Sequence, residues 1–224
     1  MKRIVFFSIV ALAGWCSQGY AAKRLDDNAK ANQSEVFQKA IDDLAAKGGG
    51  RLIVPTGTYQ LAGVKLKSNV HLLFEKDTVI KPYWPEGTKT VVFNLDAERP
   101  ANKRKMTPEQ ERAYIENVSL RGLGGCSIID YSDRERSKGE GIRGVLAKMV
   151  KNFLIADLDL KDNFSAYCGI TLTPMQTKNE TKDWPVSRAT EGHYHIAVEN
   201  VTLEGFKYNA DKPILTEADF RGGK

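Results

Sequence analysis

The sequence predicts an all-β fold in which short parallel strands stack into a solenoid, and three observations indicate it. From Arg51 onward, apolar runs of three to five residues alternate with tight turns such as Pro55-Thr56-Gly57. No long helix lies between them to serve as the crossover of a doubly wound sheet. An asparagine followed by alternating apolar residues also recurs along the chain. These asparagines are Asn69, Asn117, Asn152 and Asn200.

The spacing of the asparagine motif gives a first estimate of the rungs. Successive asparagines are 48, 35 and 48 residues apart. If one rung takes about 20 to 25 residues, 48 is two rungs and 35 is one rung with an insertion. Asparagine tolerates the left-handed backbone between strands, and stacked amides can hydrogen-bond as a ladder. The alternative is that Asn-Val-x-Leu only marks the start of a strand in an ordinary β protein.

The composition is that of a globular protein. The chain has 224 residues, of which 42% are hydrophobic and 27% charged, and this excludes disordered, collagenous and wholly membrane-embedded classes. Three cysteines are too few for a disulfide-stapled scaffold. Cys126 and Cys168 form either one disulfide or two buried thiols, and the sequence does not choose between these alternatives.

The first 21 residues have the pattern of an export signal. Lys2 and Arg3 precede an apolar run over residues 4–15, and small residues around Ala21 suit signal-peptidase cleavage. The run is too short to span a bilayer, which needs about 20 apolar residues. The sequence therefore predicts a signal peptide over 1–21, a β-helix domain over 22–224, and a secreted or periplasmic protein with no membrane partner after signal removal.

The charge of the exported chain is mildly positive. Loss of two signal-peptide cations lowers the formal charge from +5 to +3. The densest basic run, residues 102–105, has no interleaved aromatic side chains, so it indicates a solvated loop and no nucleic-acid partner. For an exported protein, these properties favour an acidic polysaccharide as the partner.

A single amphipathic helix precedes the strands. Apolar residues recur at helical spacing over residues 36–45, Asn32 and Glu35 have the spacing of a capping box, and Gly48-Gly49-Gly50 ends the helix. Such a short helix cannot bury its apolar stripe alone. It is therefore expected to pack on the solenoid.

Two polar segments interrupt the strand pattern. The first covers about residues 85–113 and holds a capping box of Thr107 and Gln110. The second covers residues 174–192 and contains Trp184, which either stacks against a sugar or pins its own loop to the solenoid. Insertions of this kind often form the walls of a groove in a solenoid.

Two carboxylate-x-carboxylate pairs are candidates for acid and base catalysis. They are Asp157/Asp159 and Glu217/Asp219. Residues two apart on a strand face the same side, with α-carbons about 6.5 to 7 Å apart, so their carboxyl groups can lie at the separation used in glycosidic cleavage. Alternating acids are also usual on a solvated sheet face, with Leu158 and Leu160 turned inward in the first pair.

Histidines give weaker signals. His193 and His195 share one strand face, but two imidazoles are too few for a metal site, so lining a groove or simple exposure is expected and no metal ligand is assigned. His71 follows a repeat asparagine and is expected to be structural. No reliable Ser/His/Asp arrangement, paired CxxC motif or phosphate-binding glycine loop is found.

The start of the strand region resembles that of right-handed parallel β-helices of the pectin-lyase-like group. The residues that carry this are Gly48-Gly49-Gly50, Leu52-Ile53-Val54-Pro55 and Gly57-Thr58-Tyr59. A more specific stretch looks like part of the iota-carrageenases. It comprises Ser68-Asn69-Val70-His71-Leu72, Glu75, Asp77, Ile80-Lys81-Pro82 and Trp84, with similarity continuing through Gly122-Leu123-Gly124, Asp130, Asn152 and Asp162-Asn163.

The resemblance implies a site as well as a right-handed parallel β-helix with a short capping helix. In that family a Glu-x-Asp pair follows a strand-opening asparagine by seventeen residues, as Glu217 follows Asn200 here. Glu217 would be the general acid and Asp219 the general base of an inverting hydrolase of a sulfated galactan. The strand-face spacing of His193 and His195 and the loop position of Trp184 make these three residues the candidate substrate contacts.

The sequence also departs from the family. The family has a glutamine one rung before its acid pair, where this chain has His193-Tyr194-His195, and it continues for many rungs after the position of Lys224. The expectation is a truncated homologue whose activity as a fragment is open. One alternative is a polygalacturonase-like or pectate-lyase-like enzyme, and a lyase of this kind would require calcium. The other alternative is a non-catalytic carbohydrate-binding solenoid. No cofactor is otherwise indicated.

Overall fold

A computed structural model of the chain describes residues 21–25, 32–83, 90–97, 107, 110, 113–125, 127–130, 132, 142–162, 169–173, 193–204 and 214–215. Within them the helix α1 spans Ser34–Ala45. The strands are β1 Ala22–Arg24, β2 Gly50–Val54, β3 Thr58–Leu61, β4 Val64–Lys65, β5 Val70–Glu75, β6 Val79–Pro82, β7 Thr90–Leu95, β8 Ile115–Leu123, β9 Ser127–Asp130, β10 Ile142–Lys148, β11 Val150–Lys161, β12 Ile170–Thr173, β13 His193–Glu204 and β14 Ile214–Leu215. None of the described helical residues forms a segment long and apolar enough to cross a membrane.

The strands stack in three parallel columns. Sheet A contains β1, β2, β5, β8 and the first halves of β11 and β13; sheet B contains β3, β6, β9 and the second halves of β11 and β13. Sheet C contains β4, β7, β10, β12 and β14. Each rung passes through sheets A, B and C in turn, and all pairings among the described strands are parallel. The predicted all-β, right-handed parallel β-helix with an N-terminal helix is confirmed.

The register corrects the predicted rung length. His71 in β5 is opposite Ser119 in β8, so Asn69 lies in line with Asn117 on the adjacent rung. The separation of 48 residues between Asn69 and Asn117 is therefore one rung, and the prediction of two rungs is wrong. The first rung, from Gly49 to Asn69, has the predicted length of about 20 residues. The next rung is longer because it includes the insertion between β7 and β8.

The core consists of inward-facing side chains that repeat from rung to rung. In sheet A, Leu52, Leu72, Leu120 and Ile155 are stacked in register, and each is fully buried. Sheet C contributes Phe93, whose ring lies 6.0 Å from that of Phe74 in sheet A. Like side chains in successive rungs therefore fill the interior without large changes in shape.

The helix α1 covers the first rung, as predicted. Its buried face includes Phe37, which meets the ring of Tyr59 edge-on at 5.4 Å. The Asn32 carboxamide oxygen accepts a hydrogen bond from the backbone N–H of Ser34 at 3.0 Å, so it forms a local turn rather than the predicted capping box with Glu35. The predicted box of Thr107 and Gln110 is confirmed, with reciprocal hydrogen bonds of 3.0 and 3.3 Å.

Gly49, which follows α1, is required by a close approach of the backbone to the next rung. Gly49 has φ +123°, and a Cβ there would lie 2.4 Å from the carbonyl oxygen of Asn69. Only glycine lets the chain turn so closely beneath the next rung.

Candidate active site

Most of the residues predicted to form the site are not described, although two of them belong to β13 and two follow β14 in the sequence. Glu217, Asp219 and Trp184 lie outside the described residues. His193 and His195 are in β13, where the backbone is described and the side chains are not. The strand β14 ends two residues before Glu217. The roles assigned to these five residues therefore stay predictions.

Sheet C leads directly to this region. Leu215 in β14 is opposite Thr171 in β12, and Thr173 in β12 is opposite Lys148 in β10. Within β10, Ala147 is fully buried, so Lys148 faces outward. Its ammonium donates a hydrogen bond to the Asp96 carboxylate at 3.0 Å, and the two side chains are 34% and 26% exposed. Asp96 and Lys148 thus lie in register with Thr173 on the outer face of the solenoid, in the two rungs that precede that of Thr173.

The corner after Lys148 is short. Met149, at φ +56°, is the single residue between β10 and β11. The equivalent corners on either side are long, because insertions separate β7 from β8 and β12 from β13. The tight corner therefore lies between the two insertions that the sequence predicts as groove walls.

A second lysine lies just beyond the short corner. Lys151 donates a hydrogen bond to the Glu116 carboxylate at 3.3 Å, and its ammonium lies 4.0 Å from the centre of the Tyr114 ring. Lys148 and Lys151 lie on the two sides of this corner, each with a carboxylate beside its ammonium group, and the two residues are named the lysine ridge. Such a ridge can bind an anionic group of a ligand.

In the Asp157/Asp159 pair, Asp157 has a structural role, because its carboxylate is bound by side chains of neighbouring rungs. Leu158 and Leu160 are buried, so they point inward as predicted. The Asp157 carboxylate accepts hydrogen bonds from the Asn200 amide at 3.0 Å and the Arg121 guanidinium at 3.2 Å. The Asn200 hydrogen bond, followed by Arg121, lowers the pKa of Asp157 below its ordinary value. A carboxylate held ionised in this way is a poor general acid.

The predicted asparagine ladder is confirmed for three residues. The Asn117 amide donates to Asn69, and the Asn152 amide donates to Asn117, both at 2.8 Å. The prediction is wrong for Asn200, because the pairing of β11 with β13 places it in line with Asp157. The register instead places the backbone of His195 in line with Asn152.

His71 lies beside the strand stack, as predicted. Its Nδ1 is 3.0 Å from the Ser119 hydroxyl, and Arg51 is in register on the preceding strand. Burial, and next the positive charge of Arg51, lower the pKa of His71. Together these contacts favour a neutral imidazole that pairs with serine within the sheet.

The sequence reasoning missed the lysine ridge. Lys148 and Asp96 are 52 residues apart, and Lys151 and Glu116 are 35 apart. The second separation equals that between Asn117 and Asn152, so the repeat spacing held a usable signal. Across the described part of the chain, no three His, Cys, Asp or Glu side chains are grouped to hold a metal ion.

Two curated proteins show what the chain is similar to in sequence. An iota-carrageenase of Alteromonas macleodii is 26% identical over 202 residues, covering 88% of this chain and 37% of the relative. An iota-carrageenase of Zobellia galactanivorans is 32% identical over 168 residues, covering 74% of this chain and 30% of the relative. The chain therefore spans about a third of the length of these relatives. No protein-family model matches the sequence.

Solved structures show the same similarity. An iota-carrageenase complexed to iota-carrageenan fragments has a TM-score of 0.63 and 25% identity, covering 85% of this chain and 38% of that one. An iota-carrageenase of family GH82 from A. fortis has a TM-score of 0.55 at 21% identity, covering 83% of this chain and 42% of that one. The second likeness concerns the fold alone.

Proposed function

We propose that this chain, a homologue of the iota-carrageenases by sequence and by structure, is a glycoside hydrolase that cleaves a sulfated galactan such as iota-carrageenan. The observation that carries the proposal is this homology on a shared parallel β-helix. Because the chain spans about a third of its relatives, the activity of the whole protein is part of the proposal.

Glu217 and Asp219 are the proposed catalytic pair. Glu217 protonates the leaving glycosidic oxygen, and Asp219 activates the attacking water on the opposite face of the sugar, so the anomeric centre is inverted. The pairing of β12 with β14 supports the proposal, because it brings the strand that precedes Glu217 into sheet C, with Leu215 opposite Thr171. A general acid of this kind needs a raised pKa, which burial beside another carboxylate can provide.

The proposed substrate contacts are those predicted from the sequence. Trp184, in the insertion between β12 and β13, stacks against a sugar ring. His193 and His195 hydrogen-bond to the polysaccharide at the start of β13. The proposed substrate is extracellular, and the export signal predicted over residues 1–21 supports secretion of the enzyme.

The test is the release of reducing ends from iota-carrageenan. We expect activity in the wild-type chain, and a decrease in kcat of about 10²- to 10⁴-fold in Glu217→Gln. Asp159→Asn is the matched control, because it changes the other carboxylate pair and is expected to keep activity. Inversion is checked by following the anomeric proton of the first product by NMR.

Three outcomes would contradict the proposal. Equal activity of Glu217→Gln and wild type would remove the assigned acid. Calcium-dependent formation of unsaturated products would indicate a lyase. Retention of the polymer without any cleavage would indicate a carbohydrate-binding solenoid.

A further inference from the structure

We propose that Arg51 and His71, on the outer face of sheet A, form a site that binds the sulfate ester of a polysaccharide. The chemistry that the site recognises is the sulfate group, and the choice of the polysaccharide as its source rests on the proposed function. Neither residue belongs to the predicted catalytic or substrate-binding set. Both side chains are among the residues that the structure describes.

The site is a row of three polar side chains on successive strands. Arg51 in β2 is opposite His71 in β5, and His71 is opposite Ser119 in β8. The neighbours of His71 in its strand, Val70 and Leu72, are fully buried, so the imidazole faces outward. Neighbouring strands are about 4.8 Å apart, and the three side chains therefore form one continuous row.

Arg51 carries the uncompensated charge of this row. It is exposed, and across the described part of the chain its guanidinium has no ion-pair or hydrogen-bond partner. Arg24, in the same sheet, pairs with Glu75. Arg121 pairs with Asp157 at 3.2 Å. A guanidinium has five N–H donors in a planar fork that suits an oxyanion, and those of Arg51 are available to a ligand.

His71 supplies a second donor when an anion binds. Burial first, and the charge of Arg51 second, lower the pKa of His71, so the free protein holds a neutral imidazole. A bound anion has the opposite effect, because it stabilises the imidazolium. In that form both ring nitrogens are donors. The Nδ1–H donates to the Ser119 hydroxyl, which lies 3.0 Å away, and the Nε2–H is available to the anion.

The three strands of the row contain two acidic residues, and both are paired. Glu75 in β5 is bound by Arg24 through two hydrogen bonds. Glu116 in β8 accepts a hydrogen bond from Lys151 at 3.3 Å. The groups that face His71 from the adjacent strands are Arg51 and Ser119. A bound anion is therefore the counter-charge that these strands do not themselves give to Arg51.

The adjacent row of the same face is apolar where it runs beside Arg51 and His71. Ile53 is opposite Leu73, and both side chains are partly exposed. Ligand sites commonly combine an apolar surface with a few polar groups that fix orientation. A sugar ring can pack on these two side chains while its sulfate ester reaches the polar row, and this favours the ester over free sulfate.

Nuclear magnetic resonance of the histidines tests the site without requiring catalysis. The chain has three histidines, so the His71 signal is assigned by its loss in His71→Gln. The pH titration is repeated with inorganic sulfate and with sulfated and desulfated galactan oligosaccharides. We expect the sulfated oligosaccharide to raise the pKa of His71 by about one, which corresponds to about tenfold tighter binding to the protonated form. The desulfated oligosaccharide is expected to leave this pKa unchanged.

Substitution of Arg51 tests the other half of the site. In Arg51→Gln, loss of the positive charge is expected to raise the pKa of His71 without ligand, and the further rise with the sulfated oligosaccharide is expected to disappear. Arg51→Lys keeps the charge and is expected to retain part of the response. Lys47→Gln removes an exposed cation after α1, and this control is expected to respond like the wild type. Circular dichroism melting curves check that every variant is folded.

The outcomes separate the inference from the proposed function. An unchanged pKa of His71 with the sulfated oligosaccharide would overturn the site, as would a wild-type response in Arg51→Gln. An equal response to inorganic sulfate at the same sulfate concentration would overturn the polysaccharide as the source. A response of His71 to the sulfated oligosaccharide, together with no release of reducing ends by the wild type, would establish the site and overturn the hydrolase.

Discussion

At the scale of single residues, asparagine solves two problems at the same position. Asn69, Asn117 and Asn152 have φ of 62°, 56° and 51°, a left-handed conformation that asparagine adopts more readily than most residues. The same side chain then bonds along the solenoid axis, because its amide and carbonyl groups can face successive rungs. The bend and the axial hydrogen bond therefore select the same residue in each rung.

Substitution of the middle asparagine tests both contributions. Asn117→Ala removes two ladder hydrogen bonds and places alanine at positive φ, so we expect a loss of about 2 kcal/mol in the free energy of unfolding. Asn117→Gly removes the bonds but tolerates the bend, and a smaller loss of about 1 kcal/mol is expected. Urea unfolding measures both. Equal losses would show that the left-handed bend contributes nothing.

At the scale of elements, α1 covers the edge of the first rung, where a preceding strand would otherwise pair with β3 and β4. The Gln33 side chain accepts from the Gln60 backbone at 2.9 Å, and the Ser34 hydroxyl accepts from Ala62 at 2.8 Å. Gln38 both accepts from the Lys65 N–H at 2.8 Å and donates to the Lys65 carbonyl at 3.1 Å. Side chains thus satisfy backbone groups that an uncovered first rung would present to another chain.

Removal of one of these side chains tests the role of α1 as an edge cover. In Gln38→Ala, both Lys65 backbone groups lose their partner, so we expect a loss of about 1 to 2 kcal/mol and more aggregation during refolding. Lys39→Ala is the control on the exposed side of the helix, where only an i,i+4 pair with Asp43 is lost. Urea unfolding and light scattering measure the two effects. A control variant that aggregates as much as Gln38→Ala would contradict the proposed role.

The elements also show what the sequence can predict. The helix, the short strands, the asparagine ladder and the inward Leu158 and Leu160 follow from periodicity and turn chemistry. The number of rungs did not follow, because the motif spacing does not distinguish an extra rung from an insertion such as that before β8. The alignment of Asn200 with Asp157 was likewise hidden, since β13 begins its pairing five residues earlier than the motif indicates. The lysine ridge needed the register before its members could be brought together.

At the scale of the whole molecule, outward charges alternate along the axis. In sheet B, Lys81, Asp130 and Lys161 occupy successive rungs, and the Lys81 ammonium lies 4.0 Å from the Asp130 carboxylate. The pairs Asp96/Lys148 and Glu116/Lys151 repeat this alternation on other faces. Exposed pairs add little stability individually. Because like charges opposite one another are unfavourable, their alternation favours the observed register.

Because each rung of a solenoid contacts only its neighbours, a destabilising substitution should affect local stability mainly in the rungs near it. Phe153 is buried in β11, which pairs with β8, β9 and β13, so Phe153→Ala is expected to cost about 3 to 5 kcal/mol and to speed amide exchange on both sides. Phe37→Ala removes a ring of similar size from the interface of α1 with Tyr59. There we expect faster exchange in β2, β3 and β4, with β13 unchanged at low denaturant. Hydrogen exchange followed by mass spectrometry separates these patterns, and an equal acceleration of β13 in both variants would mean that the described rungs unfold as one unit.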